Sequence, residues 1–156
     1  MLTESAEVST LAARMTAVLH DLSRQPPAAE ARDLARRFLA WMFQLGRLLE
    51  LEPTLRDSAP VKEFLDSARG MPAKAVAAFG SVADGLEGQL HTIGDLEWRQ
   101  ISELRSALEF FEQYFGPHPE FELQEIDDTL RERAKYDGLK APPPKGVPES
   151  HWWWTA

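Results

Sequence analysis

Two segments of this chain repeat apolar residues at alternating steps of three and four, and that spacing constrains the fold more than any other feature. Between Ala28 and Glu52, Leu34, Phe38, Trp41, Leu45 and Leu48 follow such steps, and Ala35, Met42 and Leu49 widen the stripe. Between Asp95 and Phe115, Ile101, Leu104, Leu108, Phe111 and Phe115 repeat the pattern. A 3.6-residue period puts each set on one side of a helix, and sets of this kind suit helices packed nearly antiparallel in a bundle. The spacing predicts that Leu34, Phe38, Trp41, Leu45, Leu48, Ile101, Leu104, Leu108 and Phe111 are buried, with these two helices at the centre.

Proline and glycine mark the boundaries of the other helices. Val8, Leu11, Ala12, Met15, Val18, Leu19 and Leu22 predict a first helix from Glu4 to Arg24, ended by Pro26-Pro27. Val61, Phe64, Leu65 and Ala68 predict a short third helix over Pro60 to Arg69, with Gly70 as its stop. The fourth, Pro72 to Leu90, keeps a helical period but contains Gly80, Gly85 and Gly88. Each costs a helix interior roughly 1 kcal/mol against alanine. Either the helix breaks near Gly85, leaving 80–94 as the most mobile stretch, or the glycines admit close packing. Asp95 is the expected N-cap of the fifth helix and Gly116-Pro117 its stop. Leu123, Ile126, Leu130 and Ala134 predict a sixth from Pro119 to Tyr136, closed by Asp137-Gly138. No segment alternates as a strand. The expectation is an all-α, single-domain bundle of five to six helices over 1–138, with 139–156 as a proline-rich linker and Trp-rich C-terminal tail.

Charge and composition narrow the function classes. The formal net charge is −8, which repels nucleic-acid phosphate. Between Ser106 and Leu130 there is no Lys or Arg, but Glu109, Glu112, Glu120, Glu122, Glu125, Asp127 and Asp128 are all present. A field of one sign steers a basic partner; the same residues also serve a soluble protein as a solvated face. Cysteine is absent, which excludes disulfides and thiolate sites and fits a cytoplasmic protein. Met1 to Ala13 lacks the pattern of a secretory signal, and Phe38 to Leu51, the most apolar stretch, is too short and too charged to span a bilayer.

Catalytic signatures are missing. There is no phosphate-cradling Gly-Lys loop, dinucleotide fingerprint, Gly-x-Ser-x-Gly elbow or His-Glu-x-x-His. Glu87 and His91, one turn apart, are the best metal candidates, without the duplicated Glu-x-x-His of di-iron bundles. His20 is expected near the carbonyls ending the first helix, and His118 in a turn. Asp127 and Asp128 are adjacent and diverge on a helix. The sequence is therefore read as non-enzymatic, with no metal and no cofactor.

The tail carries the functional expectation. Pro142, Pro143, Pro144 and Pro148 favour extended chain, so the linker can hold His151-Trp152-Trp153-Trp154 roughly 30 Å from the bundle. In an extended strand Trp152 and Trp154 face one way and Trp153 the other. Tryptophan is enriched at interface hot spots. The expected partner-binding residues are Trp152, Trp153, Trp154, His151 and Pro148, with Glu120, Glu122, Glu125 and Asp128 as the acidic face. The same rings would also fit a groove of their own bundle, or be exchanged between identical subunits. The reading is a protein-binding module for a protein partner of basic character, neither nucleic acid nor membrane. It would be an adaptor, or a neutraliser like bacterial immunity proteins and antitoxins. A self-assembling subunit bridged by its tail is the alternative, as is a small helical-bundle enzyme or metal-binding protein.

Overall fold

The structure is a computed structural model that describes residues 2–71, 73–90, 98–116, 121–135 and 142–155. The described residues form an all-α bundle without strands. Its helices are α1 (Leu2–Ser23), α2 (Ala28–Leu51), α3 (Ala59–Arg69), α4 (Ala73–Leu90), α5 (Trp98–Phe115) and α6 (Leu123–Ala134). A 3-10 turn at Pro53–Asp57 joins α2 to α3, and a second, Trp152–Trp154, lies near the C-terminus.

The expected breakers end the helices. Pro26 and Pro27 separate α1 from α2, Gly70 caps α3, and Gly116, at φ +90°, follows α5. The glycines of α4 do not break it: the helix runs through Gly80, Gly85 and Gly88 to Leu90. Asp95, Glu120, Pro119, Tyr136 and Asp137-Gly138 lie outside the described residues, so the expected N-cap of α5 and the outer ends of α6 do too.

Helix α2 packs on α5, α1 and α4. The core gathers rings from four helices: Phe38 of α2 lies 5.9 Å from Phe64 of α3, 4.9 Å from Phe79 of α4 and 6.1 Å from Phe111 of α5, centroid to centroid. Offset and edge contacts of this kind stabilise beyond area burial alone. The whole apolar set read for α1 is buried, as are Phe38, Leu45, Ile101, Leu108 and Phe111. Leu34, Trp41, Leu48 and Leu104, expected in the interior, are half-buried. Leu39, Phe43 and Gly46 are buried instead. A helix with neighbours on several sides buries more than one stripe, so its periodicity does not choose among them. At Gly46 the Phe110 ring occupies the space of a missing Cβ, bringing α5 against the backbone of α2.

Candidate functional site

Residues 142–155 do not stand away from the bundle. Arg47 of α2 donates from Nε to the Lys145 carbonyl at 2.8 Å. The Val147 amide turns back to the Pro144 carbonyl at 3.3 Å. Gly146, at φ +87°, lies directly on the Arg47 backbone, a conformation and an approach that a Cβ would oppose. The His151 amide then closes a second turn on the Pro148 carbonyl at 3.0 Å. Two turns thus interrupt the extended polyproline arm that the sequence suggested.

The tryptophans are correspondingly sealed in. Trp153 and Trp154 are each 1% exposed and His151 4%; Trp152 is half-buried. The expected two-sided strand is replaced by a 3-10 turn, which rotates successive side chains by about a third of a turn. Of the alternatives open for the tail, docking within its own chain is the one found in this structure. Trp153 and Trp154 are core residues here, not an exposed anchor.

What receives them is a polar strip on α5. Ser106 Oγ accepts the indole N–H of Trp153 at 3.0 Å and of Trp154 at 2.9 Å. It also lies 2.9 Å from His151 Nδ1. A hydroxyl has two lone pairs and one proton. With both lone pairs taken by indoles, Ser106 donates to Nδ1, and His151 is the neutral tautomer protonated on Nε2. Burial, reinforced by the nearby Arg105 charge, lowers the His151 pKa to about 4. The Trp153 indole also donates to the Ser102 carbonyl at 3.1 Å, and Trp98 donates from Nε1 to the Trp153 carbonyl at 2.7 Å. A serine beside a histidine invites comparison with a nucleophilic pair. Here Ser106 is fully buried with its lone pairs engaged, and the charge behind the imidazole is a guanidinium rather than a carboxylate. The pair is a structural joint.

Arg105 closes the joint from the side. It is 3% exposed and sits 4.2 Å over the Trp153 ring. Its Nε and Nη2 donate to Asp127 of α6 at 2.7 and 3.0 Å, and its Nη1 to Glu109 at 2.9 Å. Burial works against the guanidinium charge, but the two carboxylates outweigh it and the pKa is raised. Arg131 of α6 lies 4.6 Å over Trp152. The tail thereby ties α5 to α6.

Compared with known proteins, the chain matches no family model, no curated protein and no solved structure. Its own geometry is what bears on function.

The acids read as one face are divided among different places. Glu109 and Asp127 neutralise Arg105. Asp128 is exposed, 3.4 Å from Arg131. Glu122 and Glu125 are exposed at the start of α6, where the neighbouring Glu125 carboxylate is the main cause that pushes the Glu122 carboxyl up. Glu120 lies outside the described residues. A recess of about 410 Å³ is lined by Glu50 of α2, Glu109 and Glu112 of α5, and Pro148, Ser150 and His151 of the tail. It brings Pro148 and His151, both expected at the partner surface, beside Glu109 and Glu112; Glu122, Glu125 and Asp128 are not in its lining.

Among the described residues no group of three or more His, Asp and Glu could hold a metal ion, and no helix is long and apolar enough to cross a membrane. The side chain of Glu87, and His91 and His118, lie outside the described residues. His20 is exposed, and its Nε2 accepts from Arg24 at 3.0 Å rather than capping a carbonyl. Arg105 and Ser106, which organise the joint, were not singled out from the sequence. Their signal was there: Ser102, Arg105, Ser106 and Glu109 recur at three- and four-residue steps beside the apolar stripe. Indoles that become buried need acceptors for their N–H groups.

Proposed function

We propose that the protein is a non-enzymatic binding module, an adaptor or a neutraliser of the immunity or antitoxin kind, that receives a basic segment of a protein partner. The reading rests on the recess where Glu109 and Glu112 of α5 meet Pro148, Ser150 and His151 of the tail. With Glu50 on its third side, its lining carries three carboxylates and no lysine or arginine, and two of the three, Glu50 and Glu109, also face Arg56 and Arg105. A lysine or arginine side chain entering there would meet carboxylates at short range, and the surrounding negative charge would speed encounter. The tail contributes by being fixed. Pro148 and His151 are held by a turn and by the Ser106 bond, so the wall they form is organised before a partner arrives and docking costs less ordering.

The test is a comparison of retained partners. Wild-type protein and the Glu112→Lys, Ser150→Lys double variant are used as baits at low salt, and bound proteins are identified by mass spectrometry. A basic protein retained by the wild type, released at higher salt and lost from the variant supports the reading. Identical retention by both baits, with unchanged helical circular dichroism, removes the recess from the account.

A further inference from the structure

A second concavity has charge of both signs in its lining. Helices α4 and α5 both pack on α2 but scarcely on each other, and between them a groove of about 300 Å³ opens onto the α2 surface. Leu39 and Phe43 of α2, Val82 of α4 and Ala107 of α5 are buried residues that line it, and Ala40 and Gly85 keep its walls low. Arg36 is exposed at its edge, and Glu103 of α5, paired with Arg99 at 3.2 Å, lines it as well. Arg32, one turn earlier on α2, lays its guanidinium over Gly85, where a Cβ would come within 2.5 Å of Nη2.

These two arginines differ from most others in the chain. Arg37, Arg56, Arg69, Arg99, Arg105 and Arg131 each face a carboxylate. Arg32 and Arg36 have no such partner among the described residues, although the protein carries an excess of acid. Like charges one turn apart repel slightly, and an apolar trough beside them leaves both guanidinium groups open to an anion. Arginine matches the planar carboxylate with paired donors.

We infer that this groove binds a small molecule with an apolar body and a carboxylate head, the body on Leu39, Phe43 and Val82 and the head on Arg36 and Arg32. The volume is at the small end of small-molecule sites. A docked partner helix would need a wider apolar face, and among the described residues Leu51 is the only large apolar side chain exposed. The site is separate from the acidic recess, so either proposal can fail alone.

The probe is sodium decanoate, with decanamide as its neutral counterpart, titrated into the full chain by calorimetry or NMR. Saturable one-to-one decanoate binding is expected, with decanamide about tenfold weaker, a difference of the size that one charge-assisted pair contributes. Arg32→Gln with Arg36→Gln brings decanoate down to the decanamide level and leaves decanamide unchanged. Ala40→Trp, at an exposed position, fills the groove and abolishes both. No saturable binding, equal affinity for the two probes, or decanoate binding that survives Ala40→Trp overturns the inference. So does a concentration-dependent dimer that Ala40→Trp disrupts, which would make a second copy the occupant. If Ala40→Trp fails to fold, the arginine double variant decides, because both of its changes are on exposed side chains.

Discussion

Ser106 and Ser102 stand one turn apart on α5, both buried, and removing their hydroxyls should have opposite consequences. Ser106 Oγ serves three groups. Its loss leaves the Trp154 N–H without an acceptor and His151 Nδ1 without a donor, while Trp153 keeps the Ser102 carbonyl. Each stranded buried group costs about 1–3 kcal/mol. Alanine returns about 0.5 kcal/mol of helix propensity. The net loss for Ser106→Ala is about 1.5–5.5 kcal/mol, a large share of the roughly 5–15 kcal/mol that holds a domain together. Ser102 Oγ is buried with no hydrogen-bond partner among the described residues; only its carbonyl is used. Ser102→Ala should therefore be neutral or slightly stabilising, within about 0.5 kcal/mol. Urea denaturation at pH 7.5, followed by far-ultraviolet circular dichroism and tryptophan emission, measures both. If Ser106→Ala costs less than about 1 kcal/mol, or costs no more than Ser102→Ala, the joint is not a hydrogen-bonded unit and the tautomer assigned to His151 falls with it.

Other outcomes follow from the same structure. Deleting 142–156 removes two buried indoles of roughly 150–250 Å² each, a gross loss of about 8–12 kcal/mol as an upper bound, so the thermal midpoint should fall by more than about 10 °C; an unchanged midpoint means the tail is not core. His151 binds its proton at the ordinary pKa of 6.5 when unfolded and at about 4 when folded. Its contribution is complete above pH 6.5 and is lost as pH falls towards 4, by about 3 kcal/mol in all. His151→Asn should flatten that part of the stability profile, and identical wild-type and variant slopes between pH 6.5 and 4 would contradict it. Gly46→Ala should destabilise by about 1–3 kcal/mol because the Phe110 ring fills the space. Gly85→Ala should stabilise by up to about 1 kcal/mol, since only the mobile end of Arg32 obstructs it. Equal signs for the two glycine variants in thermal melts would refute that contrast.

The helices were legible in the sequence because local rules determine them. Apolar spacing fixed the buried face of α1, and Pro26-Pro27 and Gly70 fixed ends, since these residues act on the backbone wherever they occur. The buried set of α2 was less legible. Leu34, Trp41 and Leu48 fit the period as well as Leu39 and Phe43 do, and the choice depends on where α1, α4 and α5 lie around the helix. Gly85 carried two local readings; α4 runs through it without a break, and among the described residues only the end of the Arg32 side chain approaches it, so close backbone packing is not what it serves. The tail was legible as an adhesive element but not in its destination. Its indoles needed acceptors, and whether those came from Ser102 and Ser106 or from another protein depends on contacts 47 to 51 residues apart in the chain. Glu109 and Asp127 belong to the acidic stretch by sequence, but both pair with the buried Arg105, a contact that the run of acids does not reveal.

The distances along the chain between the joint's members have a kinetic consequence. Trp98 meets the Trp153 carbonyl across 55 residues, and Arg47 meets the Lys145 carbonyl across 98. Contacts of such separation form late, after sequence-local helix pairs, because closing long loops costs entropy before it is offset. Interactions absent from the folding barrier act on the escape rate instead. The clasp should therefore set how slowly the native state opens, and with it resistance to proteolysis under conditions where cleavage outpaces reclosing.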